Sequence, residues 1–177
     1  MGKELQITIS NDVKLTPLLI GDANEILKLV NSNRANLARF LYWVKDVNDI
    51  ASAQKYISDR INSGQHGARW FKVHFKGDFC GVFAVKSICS DSAVAELGYW
   101  LSQSTQGNGV ISQIISKASE LLADTHTQFI EFKCLEKNAA SINIALKSGA
   151  LIVDVIPNFA FADNVWQNLN IYRSMLK

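Results

Sequence analysis

Two glycines separated by a single residue, at positions 107 and 109, lie between a strand-like run and a helix-like run of this 177-residue chain. Free backbone N–H groups at a helix N-terminus bind anions such as phosphate, and the helix dipole strengthens that binding. Glycine also lets the backbone approach such a ligand closely. The segment therefore predicts a phosphate-binding turn, although the same pattern also serves as a plain tight connection. The turn consists of Gln106, Gly107, Asn108, Gly109, Val110 and Ile111.

Two better-known phosphate motifs do not match this turn. A P-loop requires Lys followed by Ser or Thr after its last glycine, whereas Val110 and Ile111 follow here. A dinucleotide-binding unit requires a complete Gly-x-Gly-x-x-Gly pattern after the first strand of a parallel series. The run before this turn, VAELGYWL (94–101), instead closes a series of three strand-like runs joined by short turns, which predicts an antiparallel meander.

The composition limits the classes of partner. Hydrophobic residues make up 48% of the chain, enough for a full core, and no run approaches the ~20 apolar residues of a membrane span. The formal net charge is only +2 and the basic residues are scattered, so no nucleic-acid surface is predicted. The N-terminus lacks the apolar region of a signal peptide. We therefore expect one domain over residues 1–177, with neither nucleic acid nor a membrane as a partner.

Cysteine and histidine residues do not suggest a metal site. The three histidines show no ligand spacing to one another or to cysteine. The three cysteines are widely spaced and flanked by apolar residues, which predicts reduced core thiols in a cytoplasmic protein and no disulfide framework. They are Cys80, Cys89 and Cys134.

Hydrophobic periodicity predicts an α+β protein with one mixed, strongly twisted sheet of about seven strands flanked by helices. An N-terminal hairpin (LQITI and VKLTPLL) precedes a helix with Asp22 as its candidate N-cap, a second short helix around Leu37 and Trp43, and a third ending near Gly64. The meander and the glycine turn follow. The remaining predicted elements are a helix from about Val110 to Ala123, the strand FIEFKCL, the helix NAASINIALKSG and two final strands.

The sequence resembles the GNAT superfamily of acyl-CoA-dependent N-acetyltransferases, and within it the RimJ/RimL type. The family signature at the start of a helix is Gln or Arg, two residues, Gly, one residue, and Gly or Ala; it matches at Gln106 and Gly109 and departs at Ile111. Three further elements resemble the RimJ/RimL type and extend the likeness over nearly the whole chain. They are Asn33-Arg34 with Leu37 and Trp43-Val44, the strand 95–101, and Asn138 with Ser141.

The resemblance implies a GNAT fold and acetyl-CoA as the cosubstrate, without a metal. It implies that the pyrophosphate lies on the glycine turn and that VAELGYWL and FIEFKCL splay apart to admit the pantetheine arm. The arm would pair with the backbone of Trp100, Leu101 and Ser102, and Asn138 would bind a pantetheine amide.

The resemblance also implies catalytic residues. Many GNAT enzymes place a tyrosine seven residues after the asparagine to protonate the leaving thiolate, but Ala145 holds that position here. Ser141 matches the serine of RimL-type enzymes and is the expected donor; the alternative is an ordinary serine in the first turn of a helix. Glu96 either binds the amine or takes its proton through water, or is a plain solvent-facing residue of its strand. Relatives hold a second glutamate where this chain has Ala160.

Trp43 and Phe161 are the expected walls of the acceptor pocket. The expected acceptor is the α-amine of a protein N-terminus, acetylated by direct transfer in a ternary complex. Two other functions stay open: a non-catalytic acyl-CoA-binding sensor or interaction module, and acetylation of a small-molecule amine. The sequence leaves a monomer and a homodimer equally open.

Overall fold

The structure, a computed structural model, describes residues 6–177. The first residue of the predicted LQITI strand, Leu5, lies outside this range. The strands are β1 (Ile7–Thr8), β2 (Val13–Pro17), β3 (Arg69–Phe75), β4 (Asp78–Cys89), β5 (Val94–Leu101), β6 (Phe129–Leu135), β7 (Leu151–Ala162) and β8 (Val165–Met175). The helices are α1 (Ala23–Leu37), α2 (Ile50–Ile61), α3 (Val110–Ser116), α4 (Ala118–Leu121) and α5 (Ala139–Lys147), with 3-10 turns at Ile20–Asp22 and Tyr42–Asp46.

The strands form one mixed sheet of eight strands in the order β1-β2-β3-β4-β5-β6-β8-β7. The predicted meander is confirmed, because β3, β4 and β5 pair antiparallel in succession. The contact between β5 and β6 is parallel and short. It joins Val94–Leu97 to Phe129–Phe132 and stops there, so the two strands separate beyond Leu97. This separation confirms the predicted splay.

Alternation along β4 and β5 divides the apolar residues between the two faces of the sheet. One face carries Val82 and Trp100, which pack with α1 and α2. The other face carries Phe83, Leu97 and Leu101, which pack with α3 and α5. The face that a β5 residue occupies therefore decides which helices its side chain meets.

The predicted second helix is wrong. Its first residue, Leu37, is the last residue of α1, and Trp43 lies in the 3-10 turn. Leu37 is buried like Ile26 and Val30, so it extends the same apolar stripe of one longer helix. Asp22 precedes α1 but does not cap it, because its carboxylate accepts hydrogen bonds from Leu19 N and Lys72 Nζ instead.

Two further expectations need correction. The helix predicted from Val110 to Ala123 is divided at Lys117, whose φ of −103° interrupts the helical backbone between α3 and α4. Cys89 is exposed at the end of β4, whereas Cys80 and Cys134 are buried as expected. Among residues 6–177, no helix has the length and apolar character needed to cross a membrane.

Arg34 connects α1 to the segment that follows it. Its guanidinium donates hydrogen bonds to Val44 O at 2.5 Å, Val47 O at 2.6 Å and Asn31 Oδ1 at 2.6 Å. The two carbonyls belong to the 3-10 turn and to the residue after it, which have few hydrogen bonds of their own. The planar fork of one side chain therefore holds the chain between α1 and α2 in place.

Replacing Arg34 by Lys should lower the free energy of unfolding by about 2–3 kcal/mol, because an ammonium group cannot reach all three acceptors in this geometry. Thermal or urea unfolding measures the loss. Arg39→Lys is the matched control: Arg39 makes one exposed ion pair, with Asp163 at 3.1 Å, and should cost at most about 1 kcal/mol. Equal losses in the two variants would contradict the role assigned to Arg34.

Candidate active site

A wedge-shaped opening forms where β5 and β6 separate. Residues 98–101 of β5 pair with β4 on one side and, within the described range 6–177, have no strand partner on the other. On the far side of the opening, Lys133–Leu135 of β6 pair only with β8. The open edge of β5 thus offers backbone N–H and C=O groups to an extended ligand, in the way a missing strand would use them.

The glycine turn closes one end of the wedge. Gly107 has φ +83° and Gly109 has φ +70°, and no atom of the described part of the chain lies within 4 Å of the position that a Cβ would take at either residue. Gly109 directly precedes α3. These left-handed conformations explain the two glycines, and the open space in front of them leaves the turn accessible to a ligand.

Side chains of α1 hold this turn against the sheet. Asn33 Oδ1 accepts a hydrogen bond from Gln103 N at 2.8 Å, and Asn36 Oδ1 accepts one from Gln106 Nε2 at 3.1 Å. Gln106 Nε2 also lies 3.2 Å from Leu101 O at the end of β5. The Gln106 side chain is therefore engaged within the protein, and the Asn33-Arg34 motif has a structural role that its spacing alone did not reveal.

The start of α5 forms the opposite wall. Asn138 is the N-cap residue, and its Oδ1 accepts a hydrogen bond from Ser141 N at 3.3 Å. Ser141 is half-buried and lines the wedge. Ala145, one turn later, is fully buried in the core. Position 145 therefore faces the core, whereas Ser141 places a hydroxyl at the opening.

The cavity within the wedge has a volume of about 540 Å³. Its lining brings together most of the predicted ligand residues from β5, the turn and α5, including Trp100, Leu101, Gln106, Gly109 and Ser141. The charged lining residues are all cationic, which suits a polyphosphate. They are Arg39, Lys137 and Lys147.

Two predicted cofactor residues, Ser102 and Asn108, do not line the cavity. Ser102 is buried, and its hydroxyl lies 2.8 Å from Thr105 Oγ1 within the loop that leads to the turn. Asn108 donates its amide to Thr105 O at 3.0 Å. Both side chains stabilise the loop. Any contact of these two residues with a ligand would therefore come from their backbone N–H and C=O groups.

Glu96 lies on the other face of the sheet from Ser141. It shares the face of Gly98 and Trp100, and its carboxylate accepts hydrogen bonds from Lys86 Nζ and from Lys133 Nζ, the latter at 2.7 Å. Burial alone would raise the pKa of Glu96, but these two ammonium groups together hold that pKa below its usual value. A carboxylate in this setting accepts a proton poorly.

The ion pairs continue across the same face. Glu131 on β6 is buried, and its Oε2 accepts a hydrogen bond at 2.6 Å from Arg173 on β8. Lys133 Nζ lies 3.8 Å from the other oxygen of Glu131. The network joins β4, β5, β6 and β8 over the part of the sheet where β5 and β6 are still paired, so it braces the base of the wedge.

The two predicted acceptor walls lie outside the cavity. Trp43 packs on Tyr56 and Trp100, with ring centroids 4.4 Å and 5.7 Å apart. Phe161 is exposed on β7, edge-on to Trp166. The ion pair from Arg39 to Asp163 ties the tip of the β7–β8 hairpin to the rim of the cavity. Contact of either aromatic with an acceptor stays a prediction.

Several lining residues were missed by sequence reasoning. Arg39, Lys137 and Lys147 look like ordinary surface cations in the sequence, and only their shared cavity distinguishes them. Tyr99 was assigned no role, although its alternation with Trp100 could have placed it on the α5 side.

Gln167 is fully buried and connects the chain before Asn138 to the β7–β8 hairpin. Its side-chain oxygen accepts a hydrogen bond from Lys137 N, and its side-chain nitrogen donates one to Ala162 O.

Cys134 has the surroundings of a packed strand thiol. Its thiol is buried, and burial raises its pKa to about 12. Among residues 6–177, no group of three or more His, Cys, Asp and Glu side chains is placed to hold a metal ion.

The mixed sheet with two splayed strands defines the fold class as that of the acyl-CoA-dependent acetyltransferases. The family model for the acetyltransferase (GNAT) domain matches residues 12–151. The chain belongs to this family and is an acyltransferase that uses acetyl-CoA.

Individual relatives agree with this assignment. The ribosomal-protein-serine acetyltransferase of Escherichia coli (strain K12) is 24% identical over 172 residues, which are 96% of each protein. A structure of the ribosomal-protein α-N-acetyltransferase RimL in complex with coenzyme A superposes with a TM-score of 0.87 at 21% identity, covering 97% of this chain and 98% of that one. The microcin self-immunity acetyltransferase MccE, in complex with acetyl-CoA and AMP, has a TM-score of 0.84 at 25% identity, covering 96% and 95%.

Proposed function

We propose that this protein transfers the acetyl group of acetyl-CoA to the α-amine at the N-terminus of a protein, by direct attack in a ternary complex. The observation that carries the proposal is a cavity lined by Ser141 at the start of α5 and, among residues 6–177, by no carboxylate. Such a site can assist the leaving thiolate but has little means of deprotonating a strongly basic amine. The 24% identical ribosomal-protein-serine acetyltransferase supports the same substrate class.

Each wall of the cavity has its own role in the proposed reaction. The glycine turn and the three cations bind the phosphates, and the open edge of β5 at residues 98–101 holds the pantetheine amides. The neutral amine attacks the thioester carbonyl, the C–S bond breaks, and the Ser141 hydroxyl donates a hydrogen bond to the sulfur as it becomes a thiolate. The proton lost by the amine leaves through water.

Glu96 contributes by position in this scheme. Its two lysine partners keep it ionised on the face of the sheet opposite Ser141, where the ion pairs brace the base of the wedge and the carboxylate takes up no proton. Because Ala160 holds the position of a second carboxylate in relatives, the acceptor must arrive with a readily lost proton. An α-amine satisfies that condition.

The experiment is a transfer assay with acetyl-CoA and a panel of acceptors, in which mass spectrometry locates the acetyl group. The panel contains peptides with free N-termini, N-terminally blocked lysine peptides, a polyamine and an aminoacyl nucleotide analogue. The last tests the small-molecule alternative, since MccE was solved with AMP. Transfer to free N-termini supports the proposal. Binding of acetyl-CoA without transfer to any acceptor would favour a sensor and contradict it.

Placement of the pyrophosphate is tested by Gly109→Asp. The new carboxylate would stand in the open space before the turn, where it would repel phosphate and occupy its volume, so the acetyl-CoA dissociation constant should rise at least ~10-fold. Calorimetry measures it. Gly64→Asp is the matched control, because Gly64 has φ +69°, equally open surroundings and no place in the cavity. An unchanged dissociation constant for Gly109→Asp would refute the phosphate turn.

We also infer that the protein acts in the cytoplasm, where a ribosomal protein would meet it. Its three cysteines are free, including the exposed Cys89, as expected for a reducing compartment.

A further inference from the structure

Tyr99 lies on the face of β5 that looks into the wedge. It alternates with Gly98 and Trp100, so its ring points away from α1 and α2 and packs against the core formed with α3 and α5. It also lines the cavity, together with Ser141 on the facing helix. Tyr99 is therefore placed at the inner end of the opening, where the two splayed strands begin to separate.

The Tyr99 hydroxyl oxygen is buried and makes no hydrogen bond with any of residues 6–177. A buried polar group without a partner is rare in folded proteins and calls for an explanation. Burial raises the pKa of Tyr99 well above its usual value; the nearby Ser141 hydroxyl offsets part of that rise, although the two hydroxyls do not meet hydrogen-bond geometry. The group thus keeps its proton and has a hydrogen bond left to donate.

Tyr99 supplies a hydroxyl that α5 lacks at position 145. Ala145 is fully buried and contributes no hydroxyl to the cavity, so Ser141 is the donor on the helix side. Tyr99 provides a second hydroxyl from the strand side, at the same opening. Two neighbouring hydroxyls, one from each wall, can both donate to one sulfur atom.

We propose that the Tyr99 hydroxyl donates a hydrogen bond to the sulfur of acetyl-CoA, together with Ser141, and stabilises the thiolate as it leaves. In this step the amine nitrogen forms a bond to the carbonyl carbon, the C–S bond breaks, and its electron pair stays on sulfur. Tyr99 retains its proton throughout. The thiolate later takes a proton from water. The inference rests on the proposed acetyl-CoA site, but it does not depend on which amine accepts the acetyl group.

The test measures the sulfur directly, with free CoA and no acceptor. Titration of the bound CoA thiol, followed by thiolate ultraviolet absorbance, should give a pKa about 1–2 units higher in Tyr99→Phe than in the unmodified protein, as expected for loss of one hydrogen bond to a charged acceptor. Binding of desulfo-CoA, which lacks the sulfur atom, should be the same in both. The kcat for acetyl transfer should fall about 10- to 100-fold, with little change in the KM for acetyl-CoA.

Tyr172→Phe is the matched control. Tyr172 is a buried tyrosine of β8 in the same core, its hydroxyl lies 3.4 Å from Asn170 Nδ2, and it does not line the cavity. Removal of its hydroxyl should leave the thiol pKa and kcat unchanged. Equal thiol pKa values in Tyr99→Phe and the unmodified protein would overturn the inference and leave the acetyl-CoA site intact. Failure of the unmodified protein to bind CoA would overturn the site and the inference together.

Discussion

A peptide whose only amine is its free N-terminus is expected to be acetylated several hundred times faster at pH 7 than a blocked peptide whose only amine is a lysine side chain. An α-amine has a pKa of about 7.7–8.0 and a lysine side chain one of about 10.4. At ~1.36 kcal/mol per unit, formation of the neutral amine at pH 7 costs roughly 1 kcal/mol for the first and about 4.6 kcal/mol for the second. The part of the chain that the structure describes contributes no carboxylate to the cavity lining to offset that difference.

The dependence on pH should separate the two acceptors further. The rate with the α-amine peptide should rise from about pH 6.5 to pH 8 and then level off, as the amine becomes neutral. The rate with the lysine peptide should continue to rise about tenfold per pH unit over the same range and beyond. Initial rates at saturating acetyl-CoA, with mass spectrometry to locate the acetyl group, measure both profiles.

The variant Glu96→Gln is the control for the predicted pH dependence. Its pKa is lowered by Lys86 and Lys133, so it is ionised across the whole range and should add no inflection of its own. If Glu96→Gln removed an inflection from the profile, Glu96 would be a general base after all. Internal lysines acetylated as efficiently as N-termini would contradict the proposed acceptor class.

Replacing Ser141 by Ala should lower kcat by ~10-fold to a few hundred-fold and leave acetyl-CoA binding nearly unchanged. A thiol of pKa near ~8.5 leaves as a thiolate at pH 7 at a cost of roughly 2 kcal/mol, and one hydrogen bond to a charged acceptor contributes about 1.5–3 kcal/mol. The bond strengthens as negative charge develops on sulfur, so its loss affects the transition state more than the ground state. Single-turnover rates and calorimetry measure the two effects separately.

Ser148→Ala provides the comparison on the same helix. Ser148 is half-buried at the end of α5, donates its hydroxyl to Ala145 O at 2.7 Å and does not line the cavity. It tests whether loss of any serine hydroxyl near this helix disturbs the site. A kcat for Ser141→Ala equal to that of the unmodified protein would show that Ser141 is an ordinary residue of the helix.

The glycine turn and the start of α5 could be predicted because both are local. Gly107 and Gly109 adopt left-handed conformations that disfavour other residues, and Asn138 caps a helix three residues before Ser141 through a contact within one turn. The order of the strands followed from alternation and short turns. The likeness to a family added the acetyl-CoA assignment and the role proposed for Ser141, which spacing alone does not provide.

The sequence could not reveal the surroundings of Glu96. Its partners, Lys86 and Lys133, lie 10 and 37 residues away along the chain, and only the strand register brings them to one carboxylate. A charge within an apolar run is therefore consistent with a catalytic base or an ion pair until the neighbouring strands are known. The tertiary structure decides between such environments because the pKa depends on charges a few ångströms away.

The environment of Tyr99 is a second feature that the sequence determines only in part. Alternation along β5 determines that Tyr99 and Trp100 point to different faces, and this much is contained in the sequence. The sequence does not say which of these faces packs against α1 and α2 and which opens into the cavity near Ser141. That depends on where β5 and β6 stop pairing. That point is set by packing between strands and helices distant in sequence, because local periodicity specifies a face but not the partner that covers it.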